Sequence, residues 1–89
     1  MQASHISIYG EVRNIGFRTW TKDLAVKLDL LGWVRKASDG SIEIHIQGEE
    51  DPITKFLSSC WDGQKMAYID DVLVTESSSD STLIKFKVF

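Results

Sequence analysis

The spacing of apolar residues changes repeatedly along this chain, and that alternation limits the folds open to it. Ile6 and Ile8 alternate with Ser7 and Tyr9, which predicts a first strand over residues 5–9. Trp20, Leu24, Leu28 and Leu31 then recur at spacings of 4, 4 and 3, with Ala25 beside them. That is one face of a helix, predicted over residues 19–30 and ended by Gly32. Trp33 and Val34 begin a second strand. Ile42, Ile44 and Ile46 alternate with Glu43, His45 and Gln47 in a third, with one face buried and the other wet. Between these two strands, Asp39-Gly40 signals a tight hairpin, because both residues tolerate positive φ.

Asp51-Pro52 predicts the start of a second helix, with an N-cap acceptor followed by Pro at the first helical position. Ile53, Phe56, Leu57, Cys60 and Trp61 form its apolar stripe, and Asp62-Gly63 stops it. Ala67, Ile69 and Val72-Leu73-Val74 predict a fourth strand with an irregularity at Asp70-Asp71. Ile84, Phe86 and Val88 alternate with Lys85 and Lys87 in a fifth. The polar run from Glu76 to Ser81 reads as an exposed, mobile hairpin loop between these last two strands. Two helices, each with a single apolar stripe, can cover one face of an antiparallel sheet of four to five strands. The order β-α-β-β-α-β is that of a ferredoxin-like α+β sandwich.

A chain of 89 residues without a repeat or linker is expected to form one domain over 1–89. Its longest apolar run is far short of the roughly 20 residues needed to cross a bilayer, so no membrane partner is expected. The segment Met1–His5 has neither a basic nor an apolar leader region, and cytoplasmic localisation is the expectation. A lone cysteine, Cys60, can make neither an internal disulfide nor a metal site, and reads as a small core residue. The net charge of −3 argues against general nucleic-acid binding. Charge is unevenly distributed, however. Residues 1–36 hold six Lys/Arg against three acids, whereas residues 37–89 hold four Lys against ten acids. An acidic protein that gathers positive charge in one region can focus potential there.

Several chemistries find little support. A ferredoxin-like RNA-binding module needs exposed aromatic residues on its first and third strands. Here those positions hold Ser7, Glu43, His45 and Gln47, with Tyr9 the lone aromatic. His5 and His45 can approach each other across adjacent strands, but two strand histidines are more often solvated than metal ligands. The stretch Gly10–Arg18 is more informative. A strand, a short glycine-containing loop and a helix start bring backbone N–H groups and the positive end of a helix to one spot, which favours an anion. Arg18 closes that loop with a planar fork of donors suited to phosphate oxygens.

The pattern Gly10-x-Val12-x-x-Ile15-x-Phe17-Arg18 resembles the signature loop of the acylphosphatase family, Gly-x-Val-Gln-Gly-Val-x-Phe-Arg. The resemblance continues through Thr21, Ala25, Leu28, Leu31-Gly32-Trp33-Val34-Arg35 and Asp39-Gly40-x-Ile42-Glu43. It runs on through Gly48, Phe56-Leu57 and Gly63-x-x-x-Ala67-x-Ile69-x-x-Val72. It implies hydrolysis of acyl phosphates to carboxylate and inorganic phosphate, without metal or cofactor. It implies further that Arg18 holds the phosphate with the loop Val12, Arg13, Asn14, Ile15, Gly16 and Phe17. The family's water-orienting residue is an Asn directly after Gly-Trp-Val-Arg, and Lys36 stands there in this chain. Lys offers only donors on a longer stem, so slower turnover is expected. Arg13 and Asn14 replace the family's Gln-Gly, and Asn14 can keep the turn because Asn tolerates the left-handed region. Two readings stay open. One is an acylphosphatase, a monomer acting on a small acyl phosphate with Arg18 and Lys36 as catalytic residues. The other is an acylphosphatase-like domain that binds phosphate, another anion or a protein partner without turnover.

Overall fold

Alternation at Ile6 and Ile8 becomes a strand longer than the pattern that predicts it. In the computed structural model, which describes residues 1–11, 15–60 and 68–89, β1 runs Gln2–Glu11. Helix α1 (Ile15–Lys27) follows, then β2 (Leu31–Lys36), β3 (Ile42–Gly48), α2 (Glu50–Cys60), β4 (Tyr68–Ser77) and β5 (Phe86–Val88). The five strands form one sheet in the order β4-β1-β3-β2-β5. All neighbours are antiparallel except β2 and β5, which run parallel with Val34 beside Val88. The sheet is therefore mixed rather than antiparallel throughout. Ile6, Ile8, Val34, Ile42, Ile44, Ile46 and Phe86 line its covered face. Phe17 and Ala25 from α1, with Ile53, Phe56 and Cys60 from α2, close over them. Each large side chain so buried contributes about 1.5–3 kcal/mol. The result is the ferredoxin-like α+β sandwich that the spacing predicts.

Local chemistry moves several boundaries. Helix α1 stops at Lys27 rather than at Gly32, because Asp29 adopts φ 57. Leu30 N–H then bonds Ala25 O at 2.9 Å and Asp29 N–H bonds Val26 O at 3.1 Å. This is a Schellman cap in which Asp takes the usual glycine place. Gly32 lies inside β2 with φ +148, where a Cβ would sit 1.7 Å from the His45 backbone oxygen. It is a close approach of two strands, not a helix stop. Helix α2 opens at Glu50, before Asp51, with Ile53 N–H bonded to Glu49 O at 3.2 Å. Pro52 thus falls among the first four residues, where its missing N–H costs no helical bond. The predicted stop at Asp62-Gly63 and the stripe residue Trp61 lie outside the described residues.

The Asp-Gly hairpin forms as expected. Gly40 has φ 90, Gly40 N–H bonds Ala37 O at 3.0 Å and Ala37 N–H bonds Ser41 O at 2.8 Å. Asp39 Oδ1 accepts from the Ser41 hydroxyl at 2.6 Å and from its N–H at 2.9 Å. Those bonds, the hydroxyl first, hold the Asp39 carboxyl below the usual carboxylate range. The irregularity expected at Asp70-Asp71 is a bulge: Tyr9 faces Asp71 while Gly10 faces Ile69, so Asp70 is the extra residue.

The run after β4 is exposed but is not a hairpin loop, since β4 and β5 occupy opposite edges of the sheet. Ile84, expected in the fifth strand, precedes it and is 84% exposed.

Candidate functional site

The start of α1 is fixed from below. Phe17 is fully buried, its ring packs on Trp20 with centroids 5.6 Å apart, and the buried Thr21 hydroxyl donates to Phe17 O at 2.9 Å. Because α1 begins at Ile15, Arg18 belongs to the first helical turn rather than to the loop. Its Nη1 donates to the backbone oxygen of Phe89 at 2.8 Å. Phe89 is anchored in turn, its N–H donating to Val34 O at 2.9 Å. The guanidinium is thereby tied to β2 through the chain just beyond β5. Its Nε is buried and has no hydrogen-bond partner among the described residues.

Lys36 is exposed at the end of β2 and pairs in register with the buried Ile42. It therefore lies on the helix-covered face, two residues beyond Val34 or about 7 Å along the strand. Arg18 and Lys36 are thus brought to the same end of the same face. Among the described residues the Lys36 ammonium has no ion pair. Gly16 is half-buried, and Ile15 opens the helix. Val12, Arg13 and Asn14 lie outside the described residues. Phe89 is the partner that the sequence did not reveal, because nothing in a terminal aromatic residue signals a backbone contact 71 positions away.

The uncovered face of the sheet carries a separate polar cluster. His5 and His45 pair across β1 and β3, as anticipated, and both contact the ring of Trp33 from β2. The Arg35 guanidinium lies 5.0 Å from the Trp33 ring centroid and bonds Glu43 Oε2 at 2.9 Å. This face thus has an aromatic centre that inspection of the first and third strands alone does not find. Nor are His45 and Gln47 wet: both are buried, Gln47 to 1% exposure. Gln47 Oε1 accepts the Asp80 N–H at 2.7 Å while its Nε2 donates to Asp80 O at 2.9 Å. His45 Nε2 lies 2.9 Å from the same Oε1 and must be the donor, since the oxygen can only accept. Thr82 bonds, the hydroxyl at 2.6 Å first, hold the Asp80 carboxyl below its ordinary range, with the nearby His45 a smaller cause. Burial pushes the Cys60 thiol up to about 12, so it is no nucleophile at neutral pH. No group of three or more His, Cys, Asp or Glu that could hold a metal occurs among the described residues.

The element order, the five-stranded sheet and the two covering helices define a small ferredoxin-like α+β protein, with Arg18 on the first turn of its first helix. The family model named Acylphosphatase matches residues 4–88. An acylphosphatase of Oceanobacillus iheyensis is 36% identical over 89 residues, covering 99% of this chain and 98% of that one. One from Pseudothermotoga lettingae is 43% identical over 72 residues, 81% of each chain. The crystal structure of acylphosphatase from Bacillus subtilis superposes with a TM-score of 0.91 at 31% identity, covering 100% of this chain and 99% of that one. The chain belongs to the acylphosphatase family.

Proposed function

We propose that this protein hydrolyses acyl phosphates, with Arg18 and the backbone N–H groups of residues 12–17 holding the phosphoryl group and Lys36 beside them. Water adds to phosphorus, the bond between phosphorus and the acyl oxygen breaks, and carboxylate, inorganic phosphate and a proton result. Phosphoryl transfer asks a protein mainly for positioning and for charge to match the equatorial oxygens. The carboxylate leaves readily, so the chemistry makes modest demands on proton transfer.

The observation that carries this reading is the state of Arg18. Its guanidinium is braced by Phe89 O while its buried Nε has no acceptor among the described residues. A stranded buried donor costs about 1–3 kcal/mol, which a bound anion would offset.

Steady-state hydrolysis of benzoyl phosphate by the pure protein is the direct test. Inhibition by inorganic phosphate should weaken about 10- to 100-fold in Arg18→Ala, the loss of a charge-assisted bond of about 1.5–3 kcal/mol. Unaltered inhibition would place the anion elsewhere. Phosphate binding without turnover would leave an anion-binding domain, not an enzyme. If water placement limits the rate, Lys36→Asn raises kcat, because Asn supplies the acceptor that Lys lacks. A lower kcat would show that the site works through Lys36, and an unchanged one that it uses another route.

A further inference from the structure

Lys36 stands on the side that the hydrolase reading gives to the incoming nucleophile, and an ammonium is selective about what it can hold there. Register places it on the covered face opposite Ile42, two positions past Val34, whose carbonyl anchors Phe89 and through it Arg18. It is exposed at the rim and, among the described residues, has no ion pair. Water that attacks phosphorus must shed a proton, and an ammonium offers donors but no acceptor for it. The nearest carboxylate along the chain, Asp39, accepts from the Ser41 hydroxyl at 2.6 Å and from its N–H at 2.9 Å. Those bonds hold it below the usual carboxylate range and make it a poorer base. An oxyanion has the opposite requirement. It has no proton to lose, but its charge must be matched by donors before it can approach a negatively charged phosphoryl group. Arg18 and Lys36, at the same end of the same face, provide one cation for each.

Resting on the hydrolase reading above, we propose that the protein also transfers the phosphoryl group of acyl phosphates to small phosphate-like oxyanions, with Lys36 holding the acceptor. The acceptor enters in line, opposite the leaving carboxylate. One of its oxygens forms the new bond to phosphorus with its own electron pair. The bond between phosphorus and the acyl oxygen breaks, and the carboxylate leaves with that pair. The products are a phosphoanhydride and a carboxylate, and no proton is taken up or released. Because Lys36 is exposed, its hold on the acceptor is moderate and weakened by salt.

The test supplies benzoyl phosphate with either methylphosphonate or ethylene glycol and follows the initial products by phosphorus NMR. Methylphosphonate yields a phosphonate–phosphate anhydride, glycol a phosphate ester, and water inorganic phosphate. The ratio of transfer to hydrolysis is taken within each sample, so a general loss of activity or occupation of free enzyme by methylphosphonate cancels. Wild-type protein should form the anhydride, at a ratio about fivefold above that of Lys36→Met. Lys36→Arg should keep the ratio, Lys36→Glu should drive it lower still, and the wild-type excess should shrink as KCl rises. The glycol ratio should not fall in Lys36→Met, since a hydroxyl, like water, must shed a proton that the ammonium cannot accept. Inorganic phosphate without anhydride in the wild type overturns the transfer activity and leaves the hydrolase reading standing. Equal anhydride ratios in the wild-type, Met and Glu proteins overturn the role of Lys36, as does a parallel fall in both transfer ratios. If the wild type yields neither anhydride nor phosphate above background, the hydrolase reading fails and this inference fails with it.

Discussion

Removing the Gln47 amide should destabilise the protein far more than its position at the end of a strand suggests. The side chain is 1% exposed and makes three hydrogen bonds: two to the backbone of Asp80 and one from His45 Nε2. Asp80 is exposed, so water can replace its two bonds, and each is worth about 0.5–1 kcal/mol. His45 is buried, and its stranded N–H adds about 1–2 kcal/mol. Gln47→Met keeps the length of the side chain and deletes all three bonds, so a loss of about 3 kcal/mol is expected. For a domain of this size that is a fall in Tm of about 10–20 °C. Urea denaturation measures it as a drop in midpoint at constant slope. Hydrogen exchange supplies an independent readout, because the Asp80 amide should be protected in the wild type and unprotected in the variant. A loss below about 0.5 kcal/mol, or a wild-type Asp80 amide that exchanges freely, would refute the assignment of Gln47 as the tie that holds the segment after β4 against the open face.

Gly32→Ala should prevent accumulation of folded protein, since the new methyl would lie 1.7 Å from a backbone oxygen at φ +148. Normal solubility and an unchanged Tm would show that β2 and β3 do not approach so closely. The Cys60 thiol is held as the neutral form to about 12, against an ordinary value of 9.0. Above pH 9 the unfolded chain therefore releases a proton that the folded one keeps, and stability falls as pH rises from 9 toward 12. The slope from this group reaches about 1.4 kcal/mol per pH unit. Cys60→Ala should flatten the alkaline limb of stability against pH, measured by denaturation from pH 8 upward; an unaltered limb refutes the assignment.

The sandwich was legible because its evidence is periodic and local: Ile42, Ile44 and Ile46 at spacing two, and Trp20, Leu24 and Leu28 at spacing four, each state which face is dry. Helix ends were less legible. Asp29 replaced the expected glycine in the cap of α1, and Gly32 proved to serve strand contact instead. The parallel pairing of β5 could not be read at all, since a short alternating run says nothing about direction or neighbour. In the candidate site, Arg18 and Lys36 were proposed from residue type and motif. Phe89 was not, because a backbone acceptor has no residue-specific signature. His45 and Gln47 looked wet for a similar reason: alternation assigns them to the uncovered face, but only a tertiary contact with Asp80 decides that they are buried.

The bond from Arg18 to Phe89 also bears on the order in which the molecule becomes competent. It joins positions 71 residues apart, and it exists only after β5 has docked beside β2. Contacts so distant in sequence carry the largest closure cost and tend to form late. A partly folded chain with β1–β4 paired could already have most of its apolar core and yet leave the guanidinium unbraced. If Arg18 takes the anion as proposed, anion capture reports completion of the whole sheet, and a bound phosphate slows the undocking of its last strand.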